Sequence, residues 1–210
     1  MARYGIHAEK AYGVSMATML ALRKKLGRNH ALAVALFRTG WHEARILACF
    51  VDEPERVTAA QMDLWARAFD NWAICDSMCN RLFSRTPHAW RKVNEWARSD
   101  EEFVKRAAFA LLVSLAVHDK AAPNAAFLQA LPVLRHAASD PRNFVKKAVN
   151  WALRTVGKRN LVLNSAAVDV ARRLAGSVEP NARWVGRDAL RELTSAAVKR
   201  RLSRRPATAA

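Results

Sequence analysis

Cysteine, glycine and proline are scarce in this 210-residue sequence, which contains three, seven and seven of them. A small, odd number of cysteines argues against a disulfide framework and favours a reducing compartment. Few glycines and prolines argue against a β-sandwich, which needs many turns. No apolar run approaches the roughly 20 residues that span a bilayer, and the polar start "MARYGIHAEK" does not resemble a secretory signal. We therefore expect a cytoplasmic protein without membrane segments.

Acidic residues are also few, since 18 Asp and Glu stand against 35 Lys and Arg, for a formal net charge of +17. The surplus is concentrated in residues 141–205, which hold 16 basic and 4 acidic residues. A surplus of this size indicates a polyanionic partner, of which DNA or RNA is the most common. A cationic surface that only maintains solubility is the alternative. The C-terminal "VKRRLSRRPATAA" lacks the large apolar residues that would anchor a basic helix to a membrane.

Apolar residues at helical spacing, bounded by caps and breakers, predict helices along the whole chain. The segments stop at residues typical of helix ends, namely Gly27, Gly40, Pro54 and Pro87. No strand-like alternation of useful length occurs, so the predicted fold class is all-α. Pro132 lies inside "FLQALPVLRHAAS", where we expect it to kink or break a helix.

Two segments of the chain match each other closely. "SDEEFVKRAAFALLVSLA" at 99–116 and "SDPRNFVKKAVNWALRTVG" at 139–157 share Ser-Asp and then Phe-Val-Lys, and "NARWVGRDALREL" at 181–193 is a looser copy. Their aromatic residues are 41 and 40 positions apart: Phe103, Phe144 and Trp184. A period near 40 with two helices per unit is typical of HEAT repeats, which stack into a solenoid with a concave surface.

This repeat organisation predicts the domain structure. We expect one HEAT-like repeat domain over residues 1–202, followed by a basic, alanine-rich tail over residues 203–210 without fixed structure.

The helix predicted from Asn143 onward has two different faces. Apolar residues at helical spacing predict the face toward the core: Phe144, Ala148, Ala152 and Val156. The opposite face is polar and basic: Asn143, Lys147, Asn150, Trp151, Arg154 and Lys158. A tryptophan among cations suits contact with nucleic acid, where the cations bind phosphate and the ring meets sugar or base. The alternative is that a neighbouring helix covers Trp151 as part of the core.

The segment "DNWAICDSMC" at 70–79 carries an aromatic residue and a carboxylate at helical spacing. A helix there places Trp72, Asp76 and Asn80 on one face, and no basic residue lies within one turn of Asp76. A carboxylate at the centre of a cationic surface acts as a general base or stabilises a developing cation. The alternatives are a capping or surface aspartate, or one that pairs with Arg106 or another base of a neighbouring repeat.

Other kinds of chemistry find little support in the sequence. Cys75 and Cys79 are four residues apart, without the paired C-x₂-C motifs of a zinc site, and the six histidines form no ligand cluster. No Gly-rich phosphate loop is present. We expect Cys49, Cys75 and Cys79 to be small core residues, and we expect no metal and no cofactor.

The sequence resembles the AlkD-type DNA alkylation repair proteins, a family of HEAT-like-repeat DNA glycosylases. The resemblance extends over nearly the whole chain and is strongest in "WHEARILA", "NWAICDSMCN", "FVKRAAF", "NFVKKAVNWALRTVGKRN" and "ARWVGRDALREL". It implies an enzyme that binds duplex DNA carrying N-alkylated purines, such as 3-methyladenine and 7-methylguanine, on a concave cationic surface. Such an enzyme hydrolyses the N-glycosidic bond without base flipping. It also implies a monomer of the cytoplasm that associates with the nucleoid.

The resemblance further implies roles for individual residues. The family's W-x₃-D motif corresponds to Trp72 and Asp76, and Trp151 corresponds to the tryptophan of a later helix. The two tryptophans would flank the deoxyribose of the lesion, while Asp76 would stabilise the oxocarbenium-like sugar and position the water. Arg106 would bind the adjacent phosphate, and Tyr4, in "MARY", would lie near the cleft. Lys147, Asn150, Arg154 and Lys158 would add contacts to DNA.

The residues leave three hypotheses open. The first is the alkylpurine glycosylase, in which a carboxylate and aromatic faces stabilise positive charge on the sugar. The second is a non-catalytic HEAT-repeat protein that binds damaged or branched DNA. The third is a protein-binding scaffold with an acidic partner.

Overall fold

The computed structural model describes Arg3, Gly5, Ile6 and residues 8–204, and in this part of the chain every regular element is a helix. Two 3₁₀ helices, Pro54–Arg56 and Phe83–Arg85, accompany the α-helices. The α-helices are α1 (Met16–Leu26), α2 (His30–Arg38), α3 (His42–Val51), α4 (Ala59–Arg67), α5 (Trp72–Arg81), α6 (Ala89–Trp96), α7 (Glu102–His118), α8 (Asn124–Ala137), α9 (Asn143–Gly157), α10 (Leu161–Ala175), α11 (Pro180–Leu193) and α12 (Ala196–Ser203). The all-α prediction is confirmed for the described residues, and none of their helices is both long and apolar enough to cross a bilayer.

Side-chain caps explain where many of these helices begin. A polar N-cap side chain accepts a hydrogen bond from a backbone N–H of the first turn at Ser15, Asn29, Thr58, Asn71, Asn160 and Ser195. At the other end, α1 stops at Gly27, whose φ of 67° suits a residue without a Cβ.

One predicted helix end and one predicted break differ from the structure. The helix expected to continue to Pro87 ends at Arg81, and a 3₁₀ turn follows it. Pro132 does not break its helix, because α8 continues without interruption from Asn124 to Ala137.

The described residues pack into two compact units, one that ends at Lys92 and one that begins at Val93. In the first unit, α1, α2 and α5 all contact α3. Its core contains a stacked pair of rings, Phe37 on Trp65, with centroids 4.2 Å apart. The three cysteines are also buried there, as predicted: Cys49, Cys75 and Cys79.

The second unit shows the predicted repeat directly. Helix α9 packs between α7 and α11, while α10 contacts α8, α9 and α11. Lys105 Nζ of α7 lies 3.2 Å from Asp140 Oδ2, which precedes α9. One repeat of 41 residues later, Lys146 Nζ of α9 lies 3.2 Å from Asn181 Oδ1 in α11. The same contact therefore recurs at the period that the sequence predicts.

Candidate catalytic residues and nucleic-acid interface

One group of candidate residues lies on α5, in the first unit. The helix buries Ile74, Cys75 and Met78 against the core, whereas Trp72 and Asp76 are both half-buried. Trp72 is the first residue of the helix, and Asp76 follows one turn later on the same side. The prediction that these two residues share the outer face of one helix is confirmed.

A buried cap fixes the start of α5. Asn71 Oδ1 accepts hydrogen bonds from the backbone N–H groups of Ala73 and Ile74, at 3.0 and 3.2 Å. Its amide Nδ2 donates to Asp70 Oδ1 at 2.6 Å and lies 3.5 Å from His42 Nδ1. Asn71 is only 1% exposed. Because Trp72 follows this anchored residue directly, the position of its backbone is determined by the cap.

A polar pocket of about 420 Å³ lies beside this cap, in the first unit. Its volume falls within the range of roughly 300–1,000 Å³ that is usual for ligand pockets. It is lined by Ala8, Glu9, Lys10, Gly40, His42, Arg45 and Asp70. Arg45 Nη1 donates to Asp70 Oδ2 at 3.1 Å, while Arg45 Nε is buried and has no hydrogen-bond partner.

His42 forms the buried part of the wall of this pocket, with 6% of the residue exposed. Burial lowers the pKa of its imidazole, although the negative charges of Glu43 and Asp70 act in the opposite direction. The ring is therefore neutral at neutral pH. Sequence reasoning missed this pocket, although "WHEARILA" contained the signal: His42 and Arg45 are three residues apart and so share one face of α3.

A separate group of candidate residues lies on α9, in the second unit. Trp151 is half-buried, and Lys147 is exposed one turn before it. On the opposite side of the helix, Ala148, Ala152 and Val156 are fully buried, as predicted. Phe144 is only partly buried, and its ring packs against Phe103 of α7 at a centroid distance of 5.4 Å.

Three of the residues predicted to contact DNA from α9 instead form hydrogen bonds or ion pairs with acidic residues of α11. Asn150 is 3% exposed and donates through Nδ2 to Asp188 Oδ2 at 2.8 Å, so its predicted place on an exposed face is wrong. Arg154 Nη1 and Lys158 Nζ lie 2.6 and 2.5 Å from the two carboxylate oxygens of Glu192. Phosphate contact by these two cations would require the release of Glu192.

The pKa of Glu192 agrees with the position of this carboxylate between Arg154 and Lys158. Burial acts to raise the pKa of Glu192, but the hydrogen bonds and charges of Lys158 and Arg154 outweigh it and lower the pKa overall. The carboxylate is therefore ionised at neutral pH and neutralises much of the basic face that the sequence predicts for α9.

Arg106, on α7, is also more enclosed than the sequence suggests. It is 6% exposed, and its Nη1 donates to the backbone carbonyl of Phe144 at 2.8 Å. Its guanidinium carbon lies 6.0 Å from the centre of the Phe144 ring, a cation–π distance. This geometry assigns Arg106 to the packing of α7 on α9 and disfavours the predicted phosphate contact, which stays a prediction.

The remaining predictions concern Tyr4 and metal binding. Tyr4 lies outside the described residues. Within the residues that the structure describes, no group of three or more His, Cys, Asp or Glu side chains is arranged to hold a metal ion.

Comparison with known proteins gives two findings. Residues 1–193 match the family model described as "DNA alkylation repair enzyme". A solved structure matches with a TM-score of 0.77 and 21% sequence identity, over 96% of this chain and 88% of the other. It is described as a new family of proteins related to the HEAT-like repeat DNA glycosylases with affinity for branched DNA structures. The HEAT-like repeat fold is thereby confirmed. A search of the curated proteins gives no significant match.

Proposed function

This chain belongs to the DNA alkylation repair enzyme family, and on that premise we propose that it is a glycosylase of N-alkylated purines. Its substrate is duplex DNA that contains lesions such as 3-methyladenine and 7-methylguanine, and it acts without flipping the base. The observation that carries the proposal is the pairing of Trp72 and Asp76 on the outer face of α5, one turn apart and both accessible.

The chemistry of the lesion matches these two side chains. Alkylation at N3 or N7 leaves a positive charge on the purine, so the base departs as a neutral molecule without prior protonation. The bond between C1′ and the purine nitrogen breaks, and its electron pair goes to the base. Positive charge then develops on the sugar, where the carboxylate of Asp76 and the ring of Trp72 stabilise it.

Water completes the reaction. A water molecule adds to C1′ and transfers a proton to Asp76 or to solvent, and the product is an abasic site. In this proposal Trp151 presents its half-buried ring to the DNA, and Lys147, exposed on the same helix, contacts phosphate. The cap at Asn71 acts indirectly, because it holds the first turn of α5 and with it the backbone of Trp72.

The direct test is the release of free base from methylated duplex DNA. We expect the wild-type protein to release 7-methylguanine and 3-methyladenine. Asp76→Asn should lower the single-turnover rate by about a hundredfold or more, the usual cost of losing a group that stabilises transition-state charge. Affinity for DNA should change little, because the substitution removes a negative charge rather than a phosphate contact.

A matched control separates chemistry from a general loss of charge. Asp169 on α10 is an exposed carboxylate in a surface pair with Arg172, and Asp169→Asn should leave base release unchanged. The proposal fails if the wild-type protein binds methylated DNA but releases no base, or if both variants behave alike.

A second candidate function is the binding of branched DNA without catalysis. It is favoured by the structural neighbour, which is described by its affinity for branched DNA, and by the enclosed position of Arg106. In that case the wild type and Asp76→Asn would both bind a four-way junction more tightly than a duplex of equal length, and neither would release a base.

A further inference from the structure

Four arginines of the first unit converge on a small cavity away from the candidate catalytic residues. The cavity measures about 90 Å³, and its lining residues are Leu20, Arg23, Arg28, Cys49, Phe50, Arg81 and Arg85. The arginines come from four separate places: α1, the α1–α2 connection, the end of α5 and the 3₁₀ turn after it. No acidic side chain lines the cavity. The four side chains are exposed, so water screens part of their mutual repulsion, and a bound anion would relieve the remainder.

Several arginines of the described residues form an ion pair with a carboxylate, as Arg45 does with Asp70 and Arg142 does with Asp140. The four cavity arginines differ, because none of them forms an ion pair with a carboxylate of the described residues. Arg28 donates to the backbone carbonyl of Asp52, and the Arg81 guanidinium lies 5.7 Å from the centre of the Phe50 ring. The side chains of Arg23 and Arg85 form no hydrogen bond with the described residues.

No carboxylate of the described residues lines this cavity, although the charge of Asp52 acts on Cys49 from nearby. Burial raises the pKa of the Cys49 thiol far above its usual range, despite the nearby charges of Arg81 and Arg85, so Cys49 is a neutral wall. The Asp52 carboxylate is fully buried and hydrogen bonds with His30 Nδ1 and Gln61 Nε2, at 2.7 and 2.9 Å.

Helix dipoles explain only part of this arrangement. Arg23 and Arg81 lie in the last turns of α1 and α5, where a cation interacts favourably with the helix dipole. Arg28 and Arg85 lie outside both helices, and a dipole effect does not require the four guanidinium groups to meet at one cavity.

We propose that Arg23, Arg28, Arg81 and Arg85 form a phosphate-binding site. Arginine suits phosphate because its planar donors match the oxygen geometry and its charge is permanent. The cavity admits several water molecules but is far smaller than a pocket for a whole nucleoside or drug-sized ligand. A single phosphate group fits this combination of charge and size.

The site is separate from the candidate catalytic face. At 3.6 residues per turn, Arg81 lies roughly 180° around α5 from Trp72. A phosphate bound there therefore belongs to something other than the sugar that Trp72 contacts. Two sources share this chemistry, the backbone of a further DNA segment and a free phosphate compound.

The test uses a double variant, Arg23→Ala/Arg85→Ala, whose side chains are exposed and make no hydrogen bond that folding would lose. Its control is Arg38→Ala/Arg187→Ala, which removes two exposed arginines that do not line the cavity. Thermal unfolding is followed in inorganic phosphate and in chloride at equal ionic strength. We expect phosphate to raise the melting temperature of the wild type and the control in a saturable manner, and the shift to disappear in the double variant.

Binding to labelled DNA then distinguishes the two sources. If the site takes a further DNA segment, the double variant should bind a four-way junction about tenfold more weakly, with a shallower salt dependence, and the control should not. Loss of the phosphate shift with unchanged junction affinity would support a free phosphate compound instead. The proposal is overturned if phosphate shifts no protein, or if the double variant and control respond equally. Base release is a separate measurement, so failure here leaves the glycosylase proposal standing.

Discussion

Asp140 offers the sharpest test of how the repeats are held together. It belongs to the Ser-Asp motif that precedes the repeated helices, and its side chain is almost completely buried. Its carboxylate accepts hydrogen bonds from Arg142 Nε and Nη2, at 2.9 and 2.6 Å, and from Lys105 Nζ at 3.2 Å. The carboxylate thus joins α7 to the start of α9. Asp140→Asn keeps the size of the side chain and removes the charge.

The expected magnitude follows from the pKa of this carboxyl group. The hydrogen bonds from Arg142, assisted by Lys105 and opposed by burial, lower the pKa of Asp140 from 3.8 to about 2. A shift of that size corresponds to about 2 kcal/mol of folding free energy at neutral pH. Because the folded-state pKa is the lower one, the contribution is complete above about pH 5. It falls to about 1 kcal/mol near pH 3 and is nearly lost below pH 2.

Urea unfolding of the wild type and Asp140→Asn, at pH values from 2 to 7 and constant ionic strength, measures this contribution. At pH 7 the variant should lose about 2 kcal/mol, and the difference should shrink as the pH falls through 4 and 3. The control is Asp169→Asn, which removes an exposed carboxylate on α10 and should cost well under 1 kcal/mol. A pH-independent difference, or a loss no larger than that of the control, would refute the reasoning.

Three further predictions concern the helix cap, a close helix contact and the acidic residues of α11. Asn71→Ala should cost about 1–2 kcal/mol in urea unfolding, because the cap of α5 loses two backbone hydrogen bonds. Gly186→Ala should cost about 3 kcal/mol, since its Cβ would lie 2.2 Å from a backbone nitrogen of α10, whereas Gly176→Ala, with nothing within 3.8 Å, should be neutral or slightly stabilising. Glu192→Gln should strengthen binding to undamaged duplex DNA and steepen its salt dependence, because it removes the negative charge that pairs with Arg154 and Lys158 of α9.

Each of these expectations has an outcome that contradicts it. An Asn71→Ala protein as stable as the wild type would show that the cap is dispensable. Equal melting temperatures for Gly186→Ala and Gly176→Ala would contradict the close approach of α11 to α10. For the acidic residue, the comparison is Glu179→Gln, an exposed glutamate at the start of α11. If both glutamine variants strengthen DNA binding equally, the effect is one of net charge alone.

Local features of the structure could be predicted from the sequence because they depend on residues close together in the chain. The spacing of Trp72 and Asp76 specifies one face of α5 whatever surrounds the helix. The 41-residue period likewise places Lys105 and Lys146 at equivalent positions of the repeat, and the structure gives each a partner 35 residues further on.

The partners of polar side chains across helices could not be predicted in this way. The polar face of α9 is correctly placed on the helix, but its surroundings depend on α11, which lies 38 residues away in sequence. Periodicity alone does not distinguish a polar face that meets solvent from one that meets a complementary acidic helix. Asn150 was therefore assigned to the surface although it is buried against Asp188.

Ion pairs between helices also change which basic residues are available to bind an anion. By sequence, the surplus of basic residues lies mainly after residue 141, and that region was expected to supply the cations that meet DNA. There, however, Arg154 and Lys158 are matched by Glu192. In the first unit, by contrast, four arginines that form no ion pair with a described carboxylate line one cavity, Arg23 and Arg85 among them. An anion is attracted by the positive charge that remains after internal pairing. We therefore expect arginine substitutions to weaken phosphate binding most in the first unit.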